Sequence, residues 1–281
     1  MSIPQEKMGR RLVWHDEFDG PGIDFDKWGF DRTMSAADRE YDNSEKYCRV
    51  EDGMAHLQVW RSDKEGCNYA LSEGFNTGDT MVFKYGYLEM RARIPFRHGA
   101  WPSFWMTANT PFRKASWMSE IDIYEVFSND RSVVSNLHKW GGGQHVMLPG
   151  GEGSLNRAYT FEDYENLNNE FHVYGFEWDA REMSFYVDGY KYTTYPIALD
   201  NGGDFAPDVH TGVDGFHDFH RVIINNEIFS PGSSWKPDPW VLTDEDEMPI
   251  DYYIDWIRLY QKDGEEIRLK DEIAAAREAQ K

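Results

Sequence analysis

Three carboxylates fall within six residues of an otherwise apolar, β-prone run, Ser119-Glu120-Ile121-Asp122-Ile123-Tyr124-Glu125-Val126-Phe127. Burying them in a core would be costly, so the run reads as a wall of a solvent-reached site. In a regular strand alternate side chains share a face, which would send Glu120, Asp122 and Tyr124 one way and Glu125 the other. A β-bulge after Asp122 absorbs one residue and lets all three acids converge, and bulges re-aim side chains beside active sites. The spacing therefore reads as two catalytic carboxylates with a third between them. Two carboxyl groups about 5–5.5 Å apart across a sugar ring are the geometry of retaining glycoside hydrolysis. An intervening Asp can hydrogen-bond one of them and keep neighbouring acids at different protonation states. The alternative for the same spacing is an acidic, solvated strand face.

The elements that must position these acids are short strands separated by turn signals. The pattern predicts strands at 54–60, 85–94, 103–108, 120–127, 171–178, 183–187, 219–225 and 252–261. Loop-rich stretches are expected at 62–80, 141–170 and 196–218, the middle one opening on Gly141-Gly142-Gly143-Gln144-His145. Helix formers with little apolar stripe occupy Lys270 to Gln280, which predicts a surface or frayed helix.

Just before the acids stands Gly99-Ala100-Trp101-Pro102-Ser103-Phe104-Trp105-Met106, and Tyr85 to Arg93 precedes it. The chain opens with Trp14-His15-Asp16-Glu17-Phe18-Asp19-Gly20 and Trp28, and later carries Phe176-Glu177-Trp178, Phe185-Tyr186-Val187-Asp188-Gly189 and Tyr253-Ile254-Asp255-Trp256-Ile257-Arg258-Leu259-Tyr260. In this order, over roughly residues 12–262, the segments resemble glycoside hydrolase family 16. The resemblance implies an all-β fold, a β-jelly-roll sandwich of the concanavalin A-like type with a concave substrate cleft. It places the family's nucleophile on Glu120, its assisting Asp on Asp122 and its acid/base on Glu125. Tyr124 gives the longer, bulged form of the motif, found in laminarinases, agarases, porphyranases and κ-carrageenases.

A chain of 281 residues, 40% hydrophobic, is long enough for one large β domain, here expected over 1–264 with a C-terminal tail at 265–281. Its 16% aromatic content, with 11 Trp, exceeds what a core alone requires. Aromatic rings stack on sugar faces while their edges stay wet, so Trp101, Trp105, Trp117 and Trp140, which cluster around the acids, are the candidate platforms. His138 follows Glu125 at a distance that lets the next strand return beside the acids, and the resemblance implies a cleft-facing His there. Asn136 and Glu227 complete the candidate polar contacts. For Glu227 the sequence allows either a sugar hydroxyl or an Arg or Lys partner.

The net charge of −21 argues against nucleic acid, because phosphate binding needs basic patches. It also favours a neutral glucan over a heavily sulfated polymer. The expected function is retaining, endo-acting hydrolysis of β-1,3- or mixed-linkage β-glucan. An agarase- or porphyranase-like galactan hydrolase is the alternative, carried by the run around Glu227. A non-catalytic glycan-binding module is a remote third reading, at odds with three intact acids. No cofactor is expected for catalysis. The resemblance implies a structural calcium held by Glu17, the Gly53 carbonyl and Asp255, oxygen ligands of the kind calcium takes. The expected partner is a polysaccharide or oligosaccharide bound by a monomer.

Two cysteines, Cys48 and Cys67, are too few for a disulfide framework, though they could bridge. Residues 1–11 carry no apolar signal core, and no later run has membrane-spanning length, so no membrane partner is expected. The expectation is an enzyme that is cytoplasmic as written, or secreted with its signal removed.

Overall fold

The computed structural model describes residues 3–31, 36–109, 111–115, 117–148, 157–162, 166–197, 216–229 and 240–281. Among them, two large and mainly antiparallel sheets of 11 and 10 strands pack face to face. The first runs, in spatial order, through Tyr190–Pro196, Glu182–Val187, His172–Trp178, Gly86–Arg93, Ile250–Gln261, Met54–Arg61, Tyr69–Leu71 and Arg39–Tyr41. The second runs through Gln144–Leu148, Ser132–Gly141, Met118–Glu125, Ala100–Ala108, His220–Ile228, Phe75–Asn76 and Gly29–Phe30.

Alternation within each strand builds the core. Leu88, Met90, Phe176, Phe185 and Ile254 of the first sheet meet Phe104, Met106, Ile121, Val222 and Ile224 of the second in one buried cluster. Each such side chain contributes about 1.5–3 kcal/mol on burial. The opposite face of the second sheet, reached by the intervening residues of the same strands, is left for the cleft.

Every strand expected from the pattern is present, with ends displaced by at most three residues. The loop-rich stretches hold more structure than composition suggested. Tyr69–Leu71 and Phe75–Asn76 are strands within 62–80, and Gln144–Leu148, Ala158–Thr160 and a 3₁₀ turn at Leu167–Asn169 lie within 141–170. These short strands gain their stability from a neighbour already in the sheet, which composition does not register. Most of 196–218 lies outside the described residues.

The segment after residue 264 is built into the sandwich rather than hanging from it. Glu266–Leu269 pairs antiparallel with Met81–Lys84. The helix Lys270–Glu278 then buries Ile273 beside Val82 and Phe219, while Arg277 donates to the Gly78 carbonyl. One apolar side chain suffices to dock the helix, and a stripe so narrow looks like none in the sequence. Cys48 and Cys67 are both free, and burial pushes the Cys48 thiol up to about 12. No helix among the described residues is long and apolar enough to cross a membrane.

Candidate active site

The strand Met118–Glu125 carries the acids and contains the expected bulge. Asp122 faces Asn136 and Glu125 faces Val134 on the return strand Ser132–Gly141, so three steps on one strand match two on the other. On the other side, Phe104 faces Tyr124 and Trp105 faces Asp122, which places the same extra residue between Asp122 and Tyr124. Ile121, Ile123 and Tyr124 all enter the core. The Tyr124 ring lies 4.6 Å from that of Tyr174, and its hydroxyl pairs with that of Tyr252 in the facing sheet. Two consecutive core-facing residues are what turn Glu125 to the same side as Glu120 and Asp122.

The three acids line a cleft of about 830 Å3 together with alternate residues of the neighbouring strands. Trp101, Ser103 and Trp105 come from one, Asn136, His138 and Trp140 from the next, and Asn225 and Glu227 from His220–Ile228.

Each acid has its own partners. The Trp140 indole N–H donates to Glu120 Oε2 at 2.9 Å. The Trp101 indole N–H donates to Glu125 Oε1 at 2.9 Å, and Asn136 Nδ2 donates to Oε2 at 2.6 Å. His138 Nε2 lies 2.9 Å from Asp122 Oδ2, a close approach without the alignment of a hydrogen bond. A carboxylate oxygen each of Glu120 and Asp122 and a ring nitrogen of His138 all fall within 4.8 Å of one another. Ser103 and Trp105 both donate to Asn225 Oδ1, at 2.5 and 3.0 Å, which fixes the floor between the acids and the next strand.

So many acids in one partly dry space cannot all ionise. Burial, and then repulsion from Asp122, pushes the Glu120 carboxyl up to about 8, against the pull of His138 and the Trp140 N–H. Burial and then Glu125 raise Asp122 well above the ordinary carboxylate value. Groups coupled this closely titrate together, and a proton resting on Asp122 removes the charge that opposes ionisation of Glu120. The arrangement supplies one carboxylate able to attack, a second held by two N–H donors on the same wall, and a third between them whose charge bears on both.

Of the residues named from sequence, Glu120, Asp122, Glu125, Trp101, Trp105, Asn136, His138, Trp140 and Glu227 line the cleft. Trp117 does not. Its ring lies against Gly141, where an added Cβ would come within 2.8 Å of it. It stands beside the end of the strand that carries Trp140 without lining the cleft.

Glu227 combines wall and ion pair. It is 2% exposed and accepts from Arg39 NH1 at 2.6 Å, while burial holds its carboxyl above the ordinary value. Its charge is already matched within the wall. Sequence reasoning passed over Ser103, Phe127, His145, Met147 and Arg157, which also line the cleft. The i, i+2 spacing of Trp101, Ser103 and Trp105 was a usable signal for the first of these, but nothing local marked His145.

The expected calcium ligands do not fit an ion. Both Glu17 oxygens accept from Arg258, at 2.9 and 2.6 Å, and Asp255 is paired with Arg91. Gly53 sits in the turn before Met54–Arg61 with φ +72°. Two carboxylates each satisfied by a guanidinium leave a cation nothing to neutralise.

Against known proteins, the model of glycosyl hydrolases family 16 matches residues 36–213. The chain is 27% identical to glucan endo-1,3-beta-glucosidase A1 of Niallia circulans over 90% of its own length, and it spans 38% of that protein. It is 28% identical to a beta-glucanase of Rhodothermus marinus, covering 89% of this chain and 85% of the other. Among solved structures, one from work on endo-acting O-glycanases with which human gut bacteria initiate mucin breakdown superposes with a TM-score of 0.70. That match has 25% identity and covers 98% of this chain and 97% of the other.

Proposed function

Since the chain belongs to glycosyl hydrolase family 16, we propose that it is an endo-acting, retaining glycosidase that cleaves β-1,3- or mixed-linkage β-glucan. The observation that carries this reading is the bulge between Asp122 and Glu125, which brings Glu120 and Glu125 to one cleft wall, each held by an indole N–H. In the first step Glu120 attacks the anomeric carbon and forms a glycosyl–enzyme ester, while Glu125 gives its proton to the departing oxygen. In the second, Glu125 takes a proton from water, which displaces Glu120 with retention overall. Asp122, beside His138, orients Glu120 and modulates its charge.

Substrate class rests on two supports. The Niallia and Rhodothermus relatives are named for β-glucans. Apart from the three acids, the Arg39-paired Glu227 and Arg157, the lining is mostly Trp101, Trp105, Phe127 and Trp140 with the amides of Asn136 and Asn225, which suits the stacked faces and equatorial hydroxyls of an uncharged glucan. A second reading, hydrolysis within a galactose-containing glycan, is favoured by 25% identity, over 89% of this chain and 55% of the other, to a keratan-sulfate endo-1,4-beta-galactosidase of Sphingobacterium multivorum. Purified protein incubated with laminarin, mixed-linkage β-glucan, agarose, porphyran and κ-carrageenan tests both, with Glu120→Gln as control. Oligosaccharides from the first two support the glucanase reading, and products from a galactan alone replace it. An α-anomer as the first product by NMR would overturn retention.

A further inference from the structure

His145 belongs to the hairpin strand Gln144–Leu148, away from the acids in sequence, yet it touches the partners of two of them. It faces Trp140 in register, and the two rings lie parallel at 5° with centroids 3.7 Å apart. Its Nε2 lies 2.8 Å from Nδ1 of His138. Trp140 donates to Glu120 and His138 meets Asp122, so one exposed side chain underlies both holders.

Two ring nitrogens this close need one hydrogen between them, given by one ring and accepted by the other. When His145 donates, a neutral His138 carries its own hydrogen on Nε2, facing Asp122 Oδ2, and that suits an ionised Asp122. When His145 accepts, Nε2 of a neutral His138 is bare and turns its lone pair to Asp122 Oδ2, and that suits a protonated Asp122. Burial and then the neighbouring His138 keep the His145 pKa below the usual imidazole value, so near neutral pH its ring is free to play either part. Which part it plays decides the form of Asp122 that the site accommodates, and with it the ionisation of Glu120.

We propose that His145 is a positioning residue that selects the tautomer of His138 and braces Trp140, so that the nucleophile side of the cleft is set from the hairpin. The proposal rests on the reading of Glu120 as nucleophile. It concerns a residue that touches the holders of the acids rather than the acids themselves.

Two substitutions separate its contacts. His145→Phe keeps a flat face for Trp140 and loses the nitrogen, whereas His145→Gln restores an amide that can donate or accept at His138 Nδ1. The side chain is exposed, so neither change threatens the core. Ring-nitrogen NMR of the free enzyme comes first, because it needs no substrate. In His145→Phe the His138 nitrogen resonances should move toward a mixture of tautomers, with His145→Gln close to wild type. On the cleaved glycan, His145→Phe should lose about ten-fold in kcat with KM within about two-fold, and His145→Gln should recover most of it. Unchanged His138 resonances in His145→Phe overturn the proposal whatever the activity, as do equal kcat losses in the two variants. Resonances that move as expected in an enzyme inactive on every glycan tried support the coupling and count against the hydrolase reading instead.

Discussion

Trp140, 37% exposed at the cleft wall, donates its indole N–H to Oε2 of Glu120 at 2.9 Å. The donor favours the ionised carboxylate and so works against the burial that raises Glu120 to about 8. In Trp140→Phe the ring remains and the donor is lost. The pKa should rise further, and since Glu120 must be ionised to attack, activity is lost as pH falls through a higher value. The acid limb of kcat/KM should move up by about one pH unit, as expected for one hydrogen bond to a charged group. A limb that stays in place would show that Trp140 serves stacking alone.

Asp122→Asn should shift the same limb the other way. Repulsion from Asp122 is among the main causes that raise Glu120, so removing that charge lowers the pH at which the nucleophile ionises. The maximum rate should still fall about 100-fold, because the carboxylate that orients Glu120 is gone. Measuring kcat/KM across pH 4 to 9 for both variants gives two displacements of opposite sign from one cluster, and displacements of the same sign would refute the coupling.

The bulge is anchored from the facing sheet by the hydroxyl pair of Tyr124 and Tyr252. Tyr124→Phe leaves a buried hydroxyl on Tyr252 without its partner and should cost about 1–3 kcal/mol in denaturant unfolding. The phenyl ring still occupies the core, so the folded variant should retain most of its activity. Loss of activity without loss of stability would place Tyr124 in the chemistry instead.

Arg39 and Glu227 form an ion pair in the cleft wall with both side chains 2% exposed. Arg39→Met strands a buried carboxylate and should destabilise by about 3–5 kcal/mol, and adding Glu227→Leu should recover much of that. Urea melts of the two single variants and the double variant measure the coupling. Additive losses would mean that the pair carries no shared energy.

Calcium should make no difference to stability. Glu17 and Asp255 are held by Arg258 and Arg91, so adding millimolar calcium or a chelator should leave Tm unchanged. A rise in Tm on adding calcium would show that the ion displaces one of the arginines.

The features legible in the residues alone lie along single strands. Alternation is a property of neighbours two residues apart, so the strands, the clash between Tyr124 and the acids, and the bulge that resolves it are all written locally in Ser119 to Phe127. The cleft-facing rows of Trp101 and Trp105, and of Asn136, His138 and Trp140, follow from the same period. Tertiary structure decided which side chain answers which. Trp101 reaches Glu125, Trp140 reaches Glu120, His145 backs His138, and Arg39 finds Glu227 across 188 residues of chain. Those partners depend on register between strands, which is set by packing of the whole sandwich and leaves no local mark. The same reason left Trp117 out of the cleft lining and gave Glu17 and Asp255 to arginines: a side chain's type states what it can bind, and only the assembled sheets fix what lies within reach.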